Sequence, residues 1–137
     1  MTEIREKIEN ILNKNDLGLY TMMKYHFGLD SEQIPYDYPL GEITKRISNF
    51  LKVDDNLSLN IAASVELLNA SFNVHEDVRN GNTERFSRES LWWKYGPAQA
   101  INVGDGLHAG LRVWNVMKFL SLSVFPQKFP NTMINHC

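Results

Sequence analysis

The chain has 137 residues, of which 43% are hydrophobic and 22% are charged, as in an ordinary globular domain. Its net charge of −2 and its scattered basic residues provide no field that would attract nucleic acid. No apolar run reaches the roughly 20 residues that a membrane-spanning helix needs, and the charged start lacks the apolar centre of a signal peptide. The single cysteine, Cys137, can form no internal disulfide, which favours a reducing cytoplasm.

Apolar periodicity predicts an all-α chain of about five helices that forms one domain over residues 1–137. The first helix places Ile4, Ile8 and Leu12 on one narrow face. The second carries a stripe of large apolar residues that Gly28 ends. A loop with Pro35 and Pro39 is expected to follow.

The third and fourth helices are predicted from apolar stripes that should face the core. In the third, these are Ile43, Ile47, Phe50 and Leu51. The fourth is the most strongly periodic segment and should run from Ser58 to about Arg79. Its stripe consists of Ile61, Ala62, Val65, Leu68 and Phe72.

The last third of the chain should contain a polar loop, the short aromatic segment "LWWKYG" and a fifth helix over 97–122. Pro97 suits the first turn of that helix. Its many alanines and glycines would allow a neighbouring helix to approach closely, which explains why helix-weakening glycines are tolerated. Residues 123–137 contain two prolines and no period, so an irregular tail is expected.

An acidic cluster lies at the end of the fourth predicted helix. Glu76 and Asn80 are four residues apart and share a helix face, while Asp77 lies about 100° round the helix. Two carboxylates and an amide oxygen are the ligands that Mg²⁺ prefers. The alternative interpretation is a solvated polar helix end, and spacing alone does not choose between the two.

The residues around this cluster resemble the trans-isoprenyl diphosphate synthase (polyprenyl synthetase) family. In that family a long helix reads A-x-x-x-E-L-L-H-x-x-S-L-I-H-D-D-x-x-D, a loop R-R-G-x-P-T-x-W-x-x-x-G follows, and A-I-N-x-G-D-x-L comes next. Upstream, "LYTMMKYHFG" and "GEITKRI" resemble the preceding helix and the family's G-K-R-x-R-P segment. Over residues 62–109, this sequence matches the family pattern at Glu66, Leu67, Leu68, Ser71, His75, Asp77, Arg85, Trp92, Gly96 and residues 100–105.

The resemblance implies a partial isoprenoid-synthase-type helical bundle, corresponding to the N-terminal half of the family fold, and a role in isoprenoid biosynthesis. Glu76, Asp77 and Asn80 would hold Mg²⁺ against an allylic diphosphate such as geranyl or farnesyl diphosphate, and Arg85 would clamp that diphosphate. The counterpart of the 97–122 helix forms the family's dimer interface, so a homodimer or a partner subunit is expected there.

Departures from the family pattern suggest impaired chemistry. The first acid of D-D-x-x-D is Glu76, the last is the neutral Asn80, and Arg79 adds a cation inside the motif. The isopentenyl diphosphate site is degenerate, because the family's cationic or hydrogen-bonding residues there are replaced. The replacing residues are Glu42, Ile43, Asn69 and Phe86.

The sequence also ends before the family's second aspartate-rich motif. A truncated gene or a split-subunit arrangement would produce such a chain. Three interpretations stay open. The chain could be half of a prenyltransferase, a terpene-synthase-like protein that ionises a prenyl diphosphate, or a non-catalytic homologue. In each case the isolated chain is expected to be weak or inactive in making prenyl diphosphates.

Overall fold

The computed structural model describes residues 2–14, 16–30 and 36–109. The described residues form six helices and one antiparallel hairpin, in which Glu84 pairs with Glu89 and Arg85 with Arg88. The prediction of an all-α fold is confirmed, and "LWWKYG" adds a sixth, short helix. The elements in chain order are α1 (Thr2–Leu12), α2 (Gly18–His26), α3 (Pro39–Phe50), α4 (Asp55–Asn80), β1 (Glu84–Arg85), β2 (Arg88–Glu89), α5 (Leu91–Tyr95) and α6 (Pro97–His108).

Helix α4 is the central element, since α1, α3 and α6 all pack against it. It begins at Asp55, three residues before the predicted start, because the Asp54 side chain accepts hydrogen bonds from the N–H groups of Asn56 and Leu57. It ends at Asn80, where Gly81 adopts the left-handed conformation that closes many helices. Its 26 residues span about 39 Å, so it carries the site from the core to one end of the bundle.

Two glycines set the distance between α4 and its neighbours. A Cβ on Gly104 of α6 would lie 2.5 Å from Nε2 of His75. Ser71 of α4 stabilises the same contact between α4 and α6, because its hydroxyl donates a hydrogen bond to the Gly104 carbonyl at 2.8 Å. On the other side, a Cβ on Gly41 of α3 would lie 3.1 Å from Cγ of Glu66 and 3.3 Å from the main-chain oxygen of Ala62, both on α4. Small residues therefore permit the close helix approach that the composition of the predicted fifth helix indicates.

The prediction for α3 is wrong in two respects. The helix begins at Pro39, which the sequence placed in a loop, because proline is compatible with the first helical turn. The four residues expected to face the core are exposed instead, namely Ile43, Ile47, Phe50 and Leu51. Gly41 and Ser48 are buried in their place, since the face that meets the rest of the bundle is made of small residues.

The stripe proposed for α4 is also only partly correct. Ala62 is fully buried, whereas Phe72 is exposed. The buried face of the helix instead runs through small residues and through Leu67 and Val74. Helices α1, α3 and α6 can approach α4 closely along that face, which places the larger side chains of the predicted stripe away from it.

A buried carboxylate joins α4 to the beginning of α3. Glu66 has no exposed surface, and it accepts hydrogen bonds from the Gly41 N–H at 2.7 Å and the Tyr36 hydroxyl at 2.9 Å. Gly41 lies in the first turn of α3, where the N-cap residue Tyr38 provides no side-chain acceptor. Glu66 therefore acts as a capping acceptor supplied by another helix.

The remaining predictions for this part of the chain concern the C-terminal segment. The fifth predicted helix is confirmed over Pro97–His108, and residues 110–122 and the expected tail at 123–137 lie outside the described residues. The dimer interface expected over 97–122 stays a prediction. In the described ranges, no helix has the length and apolar character needed to cross a membrane.

The close crossing of α4 and α6 predicts a contrast between two glycine substitutions. Gly104→Ala should lower the free energy of unfolding by about 1–3 kcal/mol, because the new methyl group overlaps the His75 ring. Gly18→Ala is the control, since a Cβ there meets no atom within 4 Å, and it should change stability by less than about 1 kcal/mol. Urea denaturation measures both. Equal stability of the two variants would contradict the packing described here.

Candidate functional site

The end of α4 and the hairpin bring Glu76, Asp77 and Arg85 together. The Arg85 guanidinium donates to Asp77 from Nε to Oδ2 and from Nη2 to Oδ1, both at 2.7 Å. Nη2 also lies 3.0 Å from Oε2 of Glu76. The two acids and the arginine that the sequence singled out thus form one cluster, which we call the Arg85 cluster.

Asp77 is the buried member of this cluster. Only 2% of its surface is exposed, and Oδ1 accepts a further hydrogen bond from the Asn82 side chain at 3.1 Å. Its main-chain carbonyl accepts from the N–H groups of Gly81 and Asn82. Asp77 therefore fixes the turn that follows α4 as well as the orientation of Arg85. These hydrogen bonds, with the charge of Asp77, raise the pKa of Arg85, which stays a cation.

The three predicted metal-binding residues differ in how accessible they are. Both oxygens of Asp77 are occupied, whereas Glu76 and Asn80 are exposed, Glu76 over 55% of its side chain. Within the described ranges, no group of three or more His, Cys, Asp or Glu side chains could hold a metal ion. The residues therefore fit Mg²⁺ only in its common mode, with one carboxylate, several waters and oxygens brought by a phosphate ligand.

The hairpin that carries Arg85 turns through two strained residues. Phe86 and Ser87 both have positive φ angles, 53° and 62°, as the central residues of a type I′ turn require. Glycine or asparagine would normally stand there, and a bulky residue such as phenylalanine is held in this region only by its surroundings. The Phe86 ring packs against Tyr36 at a centroid distance of 5.0 Å and against His26 at 6.0 Å.

The second arm of the hairpin is fixed by Arg88. Its guanidinium makes a bidentate pair with Asp30, at 3.1 and 3.0 Å, and lies 3.5 Å from the centroid of the Tyr25 ring. The Tyr25 hydroxyl donates to the main-chain carbonyl of Glu89 at 2.9 Å. Both arms are therefore attached to the bundle, which holds Arg85 in place against Asp77.

The residues of the predicted degenerate isopentenyl site do not all meet. Phe86 and Asn69 both contact Tyr36, since the Asn69 amide lies 3.4 Å from the Tyr36 hydroxyl. Burial and the neighbouring Glu66 carboxylate raise the pKa of Tyr36, so this hydroxyl remains a hydrogen-bond donor.

The other two residues of that site belong to α3. Glu42 is half-buried, and Ile43 lies on the outward face of the helix. In the described part of the chain, no hydrogen bond or cation–π contact joins a cation of α3 to Phe86, Asn69 or Tyr36.

His26 is a residue of the site that the sequence did not indicate. It is 7% exposed, its ring lies between Phe27 and Phe86, and its Nε2 has no hydrogen-bond partner among the described residues. Burial and the positive charge of Arg85 lower the pKa of His26 to about 4, against an ordinary value of 6.5. A lone histidine at a helix end carries no spacing signal, so only the fold reveals this position.

The helical bundle around α4 has the trans-isoprenyl diphosphate synthase-like fold. Over 91% of this chain, a geranyltranstransferase from Thermotoga maritima has the same fold with a TM-score of 0.77 and 23% sequence identity. A geranyltransferase from Legionella pneumophila matches 89% of the chain with a TM-score of 0.70 and 22% identity. The chain is thus polyprenyl synthetase-like in its fold.

The sequence comparison points the same way over a shorter range. A geranylgeranyl diphosphate synthase of Mycobacterium tuberculosis is 39% identical over 49 residues, which are 36% of this chain and 14% of that protein. No family model matches the sequence. The chain covers 46% and 42% of the two structural relatives, so it spans less than half of their length.

The buried ion pair predicts that Arg85 is needed for stability. Arg85→Ala should lower the free energy of unfolding by about 3 kcal/mol, because it leaves the buried Asp77 carboxylate without its cation. Arg79→Ala is the matched control, since Arg79 is an exposed arginine in the last turn of α4, and its loss should cost less than about 1 kcal/mol. Urea denaturation compares the two. A similar loss in both variants would show that the Asp77–Arg85 pair does not hold this end of the fold.

The buried His26 predicts a loss of stability in mild acid. Its pKa is lower in the folded state than in the unfolded state, so the unfolded chain takes up the proton first as pH falls. The contribution of His26 should be complete above pH 6.5 and should decrease by roughly 3 kcal/mol between pH 6.5 and 4. Denaturation at a series of pH values measures it, with His26→Phe as the control that keeps an aromatic ring. The prediction fails if wild type and His26→Phe lose stability in parallel.

Proposed function

We propose that this chain is a polyprenyl synthetase-like protein of isoprenoid metabolism that binds an allylic prenyl diphosphate at the Arg85 cluster but does not extend it. Geranyl and farnesyl diphosphate are the proposed ligands. The observation that carries the proposal is the buried Asp77–Arg85 pair, which holds a guanidinium at the end of α4 in a trans-isoprenyl diphosphate synthase-like fold.

Arg85 is suited to a diphosphate because only part of its guanidinium is occupied. Nε and Nη2 bind the two acids, and Nη1 makes no hydrogen bond to another residue of the described ranges. A phosphate oxygen could therefore accept from Nη1 while Asp77 continues to orient the arginine. Asp77 acts in this proposal as a positioning residue rather than as a direct ligand.

Magnesium would enter this site together with the diphosphate. Glu76 and Asn80 are the accessible oxygen donors, and the diphosphate would supply the further ligands that the described residues lack. When bound, the ion would neutralise part of the negative charge of the diphosphate. Because Asn80 is neutral and Arg79 is a nearby cation, we propose that the affinity for Mg²⁺ is weak.

Extension needs a second diphosphate, and the residues around Phe86 favour an anion poorly. The side chains that meet there are the aromatic rings of Phe86 and Tyr36, the Asn69 amide and the buried Glu66 carboxylate. The two cations closest to Phe86 already have acidic partners. Arg85, whose Cζ lies 5.8 Å from the centroid of the Phe86 ring, is paired with Asp77 and Glu76, and Arg88 is paired with Asp30. A second diphosphate would therefore lack compensating charge, so we propose a site for one diphosphate only.

Incubation of the whole chain with Mg²⁺, labelled isopentenyl diphosphate and geranyl or farnesyl diphosphate tests the absence of extension. We expect no longer prenyl diphosphate by chromatography, whereas an active geranyltranstransferase assayed in parallel should produce one. A longer product made by this chain would contradict the proposal. A hydrocarbon released from farnesyl diphosphate alone would contradict it as well, because it would indicate ionisation without condensation.

A further inference from the structure

Helix α4 ends in an asparagine–glycine pair. Asn80 is its last residue and is exposed, and Gly81 follows in the left-handed conformation with a φ angle of 68°. Asn80 is also the one asparagine of the sequence that a glycine follows. In such a pair the main-chain nitrogen of the glycine can attack the side-chain carbonyl carbon of the asparagine, because glycine has no side chain to obstruct the approach. Local sequence therefore favours loss of a side-chain amide at this position over every other asparagine.

The structure leaves this pair open to the reaction. A Cβ built on Gly81 would meet no atom within 4 Å beyond its two chain neighbours, so a ring that joins the two residues has space. The Asn80 side chain makes no hydrogen bond to another residue of the described ranges, so its amide is not held in place. Asn82 differs in both respects, because its side chain donates to Oδ1 of Asp77 at 3.1 Å and Thr83 follows it. Asn82 is thus a control within the same turn.

Main-chain hydrogen bonds at the end of the helix slow the attack. The Gly81 N–H donates to the main-chain carbonyl of Asp77, which also accepts from the Asn82 N–H at 3.0 Å. The Gly81 nitrogen can reach the Asn80 side chain only when this last turn opens. Helix ends open locally at a small part of the free energy of global unfolding. The reaction should therefore proceed in the folded chain, but more slowly than in the denatured chain.

We propose that Asn80 is a site of spontaneous deamidation, which places a carboxylate at the end of α4. The Gly81 nitrogen forms a bond to Cγ of Asn80, the bond from Cγ to the amide nitrogen breaks, and ammonia leaves with the proton of the Gly81 N–H. Water then opens the cyclic imide and returns a hydrogen to that nitrogen. Addition of the hydroxyl at Cγ gives aspartate, and addition at the main-chain carbonyl carbon gives isoaspartate. The net change in both products is the replacement of an NH₂ group by OH.

The new carboxylate changes how the site responds to magnesium, a consequence that rests on the proposed function. Glu76 and residue 80 are four positions apart on one face of α4, and both are exposed. Without a cation, a second carboxylate there is repelled by Glu76 and by the negative end of the helix dipole. Mg²⁺ relieves this repulsion, because carboxylate oxygens are its preferred protein ligands. Deamidation therefore strengthens Mg²⁺ binding beside the Arg85 cluster.

Peptide mapping of the full chain after storage at mildly alkaline pH tests the modification. The tryptic peptide over 80–85 contains both Asn80 and Asn82, and tandem mass spectrometry distinguishes them. We expect the mass increase of amide loss at Asn80, with aspartate and isoaspartate as products, and severalfold less at Asn82. An Asn80 amide that persists in the folded chain while the denatured chain loses it would overturn the proposal. Equal loss at the two asparagines would also overturn it.

Calorimetric titration with Mg²⁺ in the presence of inorganic pyrophosphate tests the consequence. Asn80→Asp reproduces the aspartate product and should bind Mg²⁺ about tenfold more tightly than the freshly purified wild type. Asn49→Asp is the control, since it adds the same charge at an exposed residue in the last turn of α3, and its affinity should equal that of the wild type.

The titration separates failure of this inference from failure of the proposed function. Equal Mg²⁺ affinity of Asn80→Asp and the wild type, in a chain that still binds farnesyl diphosphate, would overturn the magnesium consequence alone. A chain that binds neither pyrophosphate nor farnesyl diphosphate would overturn the proposed function and the magnesium consequence together. The peptide map decides the deamidation in either case, because it requires no ligand.

Discussion

The geometry of the site depends on one buried carboxylate. Asp77 is almost entirely removed from water, and a charge in that position is tolerated only when a cation and hydrogen-bond donors compensate it. Arg85 supplies the cation, and Asn82 supplies a further donor. Because Arg85 follows only eight residues later, the chain must reverse sharply after α4. The left-handed cap at Gly81 lies between the two residues and provides this reversal.

A second buried carboxylate lies earlier on α4, and hydrogen-bond donors compensate it. Glu66 is fully buried and is compensated by the Gly41 N–H and the Tyr36 hydroxyl, so it attaches the beginning of α3 to α4. Tyr36 then supports the Phe86 ring, which extends the connection to the hairpin. Two buried carboxylates on one helix thus organise the loops around it. Their hydrogen bonds are committed to the protein, which explains why the described residues offer few free oxygens to a metal ion.

The parts of the fold that sequence reasoning found are those with strong local signals. The apolar periodicity of α4 and the proline at the start of α6 indicated these two helices correctly. The residues matched from Glu66 to Asp105 indicated the family resemblance. The prediction of which face of α3 is buried was wrong, because periodicity identifies an apolar face but does not say whether that face meets the core. The small residues Gly41 and Ser48 are buried against the bundle instead, since they let α3 approach α4 closely.

The chemistry of the site was less accessible to sequence reasoning. Spacing placed Glu76 and Asp77 at one helix end, and the family resemblance added Arg85. Neither could show that the Asp77 side chain points inward and is hydrogen-bonded to Arg85. The turn at Phe86 and Ser87 was invisible because neither residue favours positive φ angles. His26 and Tyr36 contribute through long-range packing against Phe86, which no local pattern reports.

The central claim is that the Arg85 cluster binds a prenyl diphosphate with the help of Mg²⁺. Calorimetric titration of the full chain with farnesyl diphosphate, with Mg²⁺ and then with a chelator, tests it most directly. The account predicts saturable binding of one ligand per chain that weakens strongly in the chelator and in Glu76→Gln, whose exposed side chain leaves folding intact. Absence of binding, or binding that neither the chelator nor Glu76→Gln affects, would contradict the account.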